Sequence, residues 1–444
     1  MTPADDSPLS DAELARLLDA MQTGPQALAA DRGARRRHVA TPSFEGHPLW
    51  REMRLHREVA TAIGVEDPYY RSHAGRAGAT STIDGRAVIN FASYDYLGLN
   101  GHPEIVAATA DATARFGTSV SASRISAGER PIHRALETAL AANYEAEDAI
   151  AFVSGHAGAV STLATLMGPA DLIVHDAVIH NCIVVGAQLS GAKRRLFPHN
   201  DLEALDEILA QERDRVERVL VVSEGLFSMD GDGPDLARLI ELKTRWGAHL
   251  MIDDAHGLGV LGARGRGLHE YQGVDPAGVD LWLGTLSKTL VSCGGYVAAN
   301  GVVVDILKHH APGFVYSVGM PAAVAAASVA ALDLMNREPE RVARLQSLSR
   351  RLRDGLAAVG LDVGTSWGLG IVPVIVGDTL RTVRLAQALL ERGINAFPVL
   401  PPGVPEKSAR LRFFVNASHD AAQIDAAIDA TVDEARRLGV VAEA

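Results

Sequence analysis

The chain lacks several things that would each have announced a class of protein. Only two cysteines, Cys182 and Cys293, stand among its 444 residues, too few for a disulfide framework or a cysteine-rich zinc site. Reduced thiols packed near a functional site are therefore expected, in a cytoplasmic setting. No apolar run approaches the roughly 20 residues of a membrane-spanning helix. Positive charge is in deficit: 42 Lys and Arg against 54 Asp and Glu leave a net charge of −12, which argues against a general nucleic-acid binder. The opening Met1-Thr2-Pro3-Ala4-Asp5-Asp6 does not read as a signal peptide. No repeat or long low-complexity segment is evident.

What the chain does have is the balance of a globular enzyme, with 47% hydrophobic and 22% charged residues. Two stretches organise it. Leu250-Met251-Ile252 is a short apolar run that stops at Asp253-Asp254, as a buried parallel strand stops at its C-terminal end. Asp280 to Thr285 repeats the pattern and delivers Lys288 between small residues. Ligands of open α/β sheets bind beyond such strand ends. An acid and a lysine so placed suit pyridoxal 5'-phosphate (PLP), which needs a lysine for covalent attachment and a carboxylate to keep its ring nitrogen protonated. Taken singly, Asp253 reads as a helix cap and Lys288 as a surface lysine.

Residues 1–45 read as an N-terminal extension, with a helix cap at Ser10, apolar residues at helical spacing from Leu14 to Met21, and a basic cluster at Arg32 and Arg35–Arg37. A second amphipathic helix is predicted from Pro48 to Ala62, then a hairpin over 81–89 turning at Asp84-Gly85. Aromatics crowd Asn90 to Leu99 too densely for an ordinary loop. Residues 101–325 alternate helical and strand patterns and predict a mostly parallel seven-stranded sheet covered by helices. Its strands are Ala149–Ser154, Leu172–His175, Arg195–Phe197, Arg218–Ser223, His249–Ile252, Asp280–Gly284 and Gly295–Ala299. Residues 326–444 predict a smaller α+β domain, to which 46–100 contribute an N-terminal segment.

Several motifs then stand in one order. They are Ser119 to Arg124 leading to Gly128 and His133, Ser154-Gly155-His156, Asp176 to Asn181, Ser223 to Gly231, Asp253-Asp254-Ala255-His256, and Thr285-Leu286-Ser287-Lys288. In this order and spacing they resemble the α-oxoamine synthases, a group within the fold-type I PLP enzymes, from about residue 46 to the C-terminus.

That resemblance implies specific roles. Lys288 would carry the cofactor and act as base at the amino acid's Cα, with Asp253 on the ring nitrogen and His256 and Ser228 on the ring oxygen. His133 would stack on the ring, His180 would line the site, and one of the two would donate to the acyl oxygen that gains negative charge. Gly155, His156, Thr285 and Ser287 would hold the phosphate, since a helix start after a strand offers free N–H groups. Ser317 would reach a partner's phosphate in a homodimer with a shared site. Arg412 would bind the amino-acid carboxylate, with Arg410 as runner-up on the same strand face.

Two positions depart from the family pattern: His156, commonly aromatic, and Asp95, which with Tyr96 would bind the substrate and whose added carboxylate would bear on which amino acid fits. The implied reaction joins an amino acid (Gly, Ala or Ser) to an acyl thioester of CoA or a carrier protein, with loss of CO₂. The basic cluster of the extension would suit an acidic carrier protein. Aldolase or aminotransferase chemistry on the same fold, and an inactive partner subunit, are the rival expectations.

Overall fold

The computed structural model describes residues 43–62 and 64–441. The helix and arginine cluster expected before Pro42 lie outside these residues. Pro48–Ala62 is helical, as its pattern predicts, and buries only Val59 along its length.

Fourteen short strands follow among the described residues. β1 (His73–Ala74), β2 (Thr80–Ile83) and β3 (Arg86–Asn90) form an antiparallel ribbon. Its β2–β3 hairpin turns at Asp84 and Gly85, both with positive φ (49° and 77°). That is the geometry for which an Asp-Gly pair is suited.

Seven strands build the central sheet: β4 (Asp148–Phe152), β5 (Leu172–Asp176), β6 (Lys193–Phe197), β7 (Val219–Glu224), β8 (His249–Asp253), β9 (Leu281–Thr285) and β10 (Gly295–Ala299). Their order is β4-β10-β9-β8-β7-β5-β6, with β10 antiparallel to both neighbours and the other pairs parallel. Each predicted strand is present, with its ends shifted by a residue or two. Strands buried on both faces read as unbroken apolar runs because alternate side chains enter two cores. Leu172, Val174, Val221, Leu250 and Ile252 join one core, while Ile173, Leu220, Val222, Met251 and Leu283 join the other.

The C-terminal part forms a three-stranded sheet from β11 (Ile371–Gly377), β13 (Phe397–Val399) and β14 (Ala409–Phe414). Between them β12 (Ile394–Asn395) pairs in parallel with β3, so the ribbon near residue 90 and the tail share a sheet. The sequence pattern gave no sign of β12 or β13, which are two and three residues long. Helices Glu340–Ala358, Thr379–Glu391 and Ala421–Arg437 pack around these strands.

A buried ionic group ties the two parts together. His199 places Nδ1 3.1 Å from Asp176 at the end of β5 and Nε2 3.2 Å from Asp232. Asp232 in turn accepts from Thr365 at 2.5 Å. Burial opposes the imidazolium, but hydrogen bonds to both carboxylates outweigh it and hold the imidazole up at about 10, against an ordinary 6.5. A folded value raised above the unfolded one contributes stability that is complete below about pH 6.5 and lost as pH rises through about 10. Thermal unfolding of the native chain should therefore fall between pH 7 and 10, and the fall should be smaller in His199→Gln.

Candidate active site

Parallel strands end in register, so residues at neighbouring C-terminal ends become neighbours in space. Glu224 at the end of β7 pairs with Asp253 at the end of β8. β9 runs beside β8 and leads through Thr285 to Lys288. Burial is the first influence on the Lys288 ammonium and lowers its pKa, while Asp253 and Glu224 pull it back up. Burial also raises both carboxyls, Glu224 well above its usual range, with Lys288 acting in the opposite direction on each. Lys288 Nζ stands 5.8 Å from the ring centre of Tyr94.

Opposite this group, His256 is buried with Nδ1 2.6 Å from the Tyr96 hydroxyl. Its ring stacks on Phe414 with an 8° interplanar angle. Burial, then the cations of Lys288 and Arg412, hold its pKa well below 6.5, so it is neutral. When the Tyr96 hydroxyl donates to Nδ1, the His256 proton sits on Nε2.

Arg412 lies over the face of Phe414 at 4.5 Å and donates to the Ser228 carbonyl at 3.2 Å. Its Nε is buried without a partner. It lines a cavity of about 260 Å³ together with Tyr70, Arg71, Tyr94, Asn395 and Phe397. Arg410 is on the same strand face but is fully engaged with Asp230 at 2.6 Å and the Met229 carbonyl at 3.0 Å. The two arginines are thus separable: Arg410 is structural and Arg412 keeps a donor in reserve.

At the other end of the group, helix Gly155–Leu166 starts after β4, capped by Ser154. A Cβ added at Gly155 would lie 3.3 Å from Thr285 Oγ1. Thr285 Oγ1 is itself 2.8 Å from Ser287 Oγ, so a helix start and two hydroxyls converge. His156 is exposed in the first turn. His180 caps helix Asn181–Ser190, is exposed, and donates its backbone N–H to the Glu224 carboxyl at 2.7 Å.

Three expectations need correction. His133 is 1% exposed, and both its nitrogens are used: Nδ1 accepts from the Arg130 N–H at 3.1 Å and Nε2 donates to the Met320 carbonyl at 2.7 Å. Its place in the first turn of helix Pro131–Asn143 makes it a helix-start clamp that cannot stack on a ring. His133→Ala is expected to lower the melting temperature, by the cost of about 1–3 kcal/mol for unsatisfied partners, while kcat stays within about threefold, a change worth under 1 kcal/mol. Asp95 is buried and spends its carboxylate on the Leu99 and Asn100 amides at 2.8 and 3.2 Å, closing a turn rather than meeting substrate. Tyr96 has no exposed surface and reaches the site only through His256.

Ser317 also lies apart from the Lys288 group in this chain. Its hydroxyl donates to the Val318 carbonyl, between the exposed Tyr316 and Val318. Sequence reasoning passed over Glu224, Tyr94 and Phe414. Glu224 was signalled by its place at the end of an apolar run, one strand over from Asp253. Tyr94 and Phe414 had no signal beyond the density of aromatics around residue 94.

Comparison with known proteins decides the family. The model for aminotransferase class I and II matches residues 86–430. The chain belongs to that family. An 8-amino-7-oxononanoate synthase of Methylobacterium is 42% identical over 81% of this chain and 90% of its own length. One from Geobacter sulfurreducens is 40% identical over 84% and 95%. A serine palmitoyltransferase of Sphingomonas wittichii superposes with a TM-score of 0.86 at 31% identity, over 90% of this chain and all of the other. Another serine palmitoyltransferase, solved with PLP, gives 0.85 at 29% identity over the same shares. Within its family the chain is an α-oxoamine synthase, a PLP-dependent acyltransferase of fold type I.

The residues present fit that cofactor. The orphan Nε of Arg412 calls for a carboxylate. The small Gly155 beside Thr285 leaves room for a phosphate, and Asp253 has no cationic hydrogen-bond partner among the described residues.

Proposed function

We propose that the Lys288 pocket binds PLP and condenses a small amino acid with an acyl thioester, releasing CO₂ and the free thiol. The observation that carries this reading is a buried lysine of lowered pKa between two strand-end carboxylates, facing a buried arginine with an unused donor. When bound, PLP supplies an electron sink for the charge that develops at the amino acid's Cα.

The chain's own groups do the rest. Lys288 would hold the cofactor and, once free, would take the proton from Cα, a task suited to an amine whose pKa burial has lowered. Asp253 holds a proton on the ring nitrogen, and His256 offers Nε2–H to the ring oxygen, with Tyr96 fixing its tautomer. Ser228 would add its hydroxyl to that oxygen. Thr285, Ser287 and the helix start at Gly155-His156 hold the phosphate, where N–H groups and the helix dipole favour an anion. Arg412 clamps the amino-acid carboxylate. Bond formation joins Cα to the acyl carbonyl carbon, the thiolate leaves with the proton taken from Cα, the carboxylate departs as CO₂, and a proton from solvent takes its place on Cα. His180 is the imidazole available to the reacting acyl oxygen, a part that His133 is too buried to play.

Exposure of Tyr316 and Val318 around Ser317 supports a homodimer in which Ser317 serves the partner's phosphate. The β3–β12 pairing supports grouping residues 46–100 with 326–444 as the smaller domain. No helix among the described residues is long and apolar enough to cross a membrane, which is compatible with action in the cytoplasm. A visible spectrum of the PLP-loaded protein, titrated with glycine, alanine and serine, tests the binding reading. One amino acid should shift the cofactor band, and absence of any band after PLP is added would refute it.

A further inference from the structure

At the rim of the Lys288 pocket a thiol is paired with an imidazole. His180 Nδ1 accepts the backbone N–H of Cys182 at 3.3 Å and lies 2.9 Å from Cys182 Sγ. An amide N–H can only donate, so Nδ1 carries no proton in this arrangement. The thiol must then be the donor in the second contact as well. Cys182 is 3% exposed. Burial first, and then the carboxylates of Asp253 and Glu224, push its thiol far up, so the proton stays on sulfur. With Nδ1 occupied twice over as an acceptor, the proton of neutral His180 sits on Nε2, which has no hydrogen-bond partner among the described residues.

We propose that Cys182 is a positioning residue for the condensation: its S–H and its own amide lock His180 as the Nε2–H tautomer and so present a hydrogen-bond donor to the pocket. This rests on the reading of the Lys288 pocket as the reacting centre. A buried structural cysteine would need only apolar neighbours, yet this one spends its proton on an imidazole that feels the charges of both Asp253 and Lys288. The wrong tautomer would offer a lone pair to an acyl oxygen that gains negative charge, and a donor aimed there is what stabilises it.

Several groups bear on the charge of His180. Burial lowers its pKa first, Asp253 raises it, and Lys288 and His156 lower it. The Glu224 carboxyl lies on its backbone N–H. Donation by Cys182 to Nδ1 adds to the stabilisation of the neutral ring. Cys182→Ala removes that donor and should raise the His180 pKa by about half a unit, the worth of a modest hydrogen bond. Cys182→Ser restores a donor and should return the value towards that of the native chain.

The test is an NMR titration of the full-length PLP-loaded protein with nitrogen-15-labelled histidine, the His180 signals being assigned by their loss in His180→Gln. Nitrogen shifts of the native protein should report an Nε2–H imidazole. The His180 midpoint should move up in Cys182→Ala and not in Cys182→Ser. The acid limb of the kcat/KM profile should move by the same half unit. An Nδ1–H tautomer, or one midpoint shared by all three proteins, overturns the proposal. A tautomer and midpoints as expected in a protein that releases no CO₂ would uphold the Cys182–His180 pairing and refute the reaction instead.

Discussion

Alanine at position 288 is expected to cut turnover by about 10⁴-fold or more, because one side chain both attaches the cofactor and moves the Cα proton. The structure gives Lys288 no competing structural task. Its ammonium makes no hydrogen bond or ion pair within 4 Å among the described residues, and its surroundings act on it through burial and through the fields of Asp253 and Glu224. Folding should therefore survive the change, and thermal unfolding should remain near that of the native chain. A second readout separates chemistry from binding. Borohydride treatment should fix PLP to the native chain, and the mass of Lys288→Ala should be unchanged by the same treatment. Turnover within tenfold of native would mean that another group supplies the base.

Arg412 offers the second large effect. Its guanidinium is buried, stacked on Phe414, and holds an unpartnered Nε at the cavity that Tyr94 also lines. Burial, and after it the nearby charge of Arg410, lowers its pKa, a cost that a bound carboxylate would offset. Arg412→Ala should raise KM for the amino acid by about 10²-fold, equivalent to about 2.7 kcal/mol of lost charge-assisted bonding, with a much smaller change in KM for the acyl thioester. Arg412→Lys keeps the charge but not the planar fork, and should recover only part of the loss. The matching change at Arg410 should instead appear as lost stability, since it breaks the Asp230 ion pair. Equal KM effects on both substrates would place Arg412 outside the carboxylate site.

Much of this was legible in the sequence, and particular residues show why. Most of the central strands were readable because they are short apolar runs ending at a polar or turn residue, whereas the edge strand Lys193–Phe197 is largely basic and exposed; Asp253 and Lys288 stand where two of the apolar runs end. The hairpin at Asp84-Gly85 was readable because two consecutive positive-φ residues admit few alternatives. By contrast, β12 and β13 are too short to carry a period, and their pairing with β3 and β14 is a property of the folded chain. His133 and Asp95 misled for one physical reason. Both are polar residues at a helix start or a tight turn, where local backbone donors and acceptors compete for the side chain and win. Glu224 was overlooked because a carboxylate at a strand end looks like a cap until the neighbouring strand brings Asp253 alongside. Tyr94 was passed over for Asp95 and Tyr96 because the order of a loop does not reveal which side chain faces the cavity and which are buried in the core.

The most direct test of the central claim uses the PLP-loaded protein, an amino acid labelled with carbon-13 in its carboxyl group, and an acyl-CoA. Labelled CO₂ and free CoA should appear together and in equal amounts, only when both substrates and Lys288 are present. Release of a 2-oxo acid without any thioester, or loss of CoA without labelled CO₂, would contradict the account.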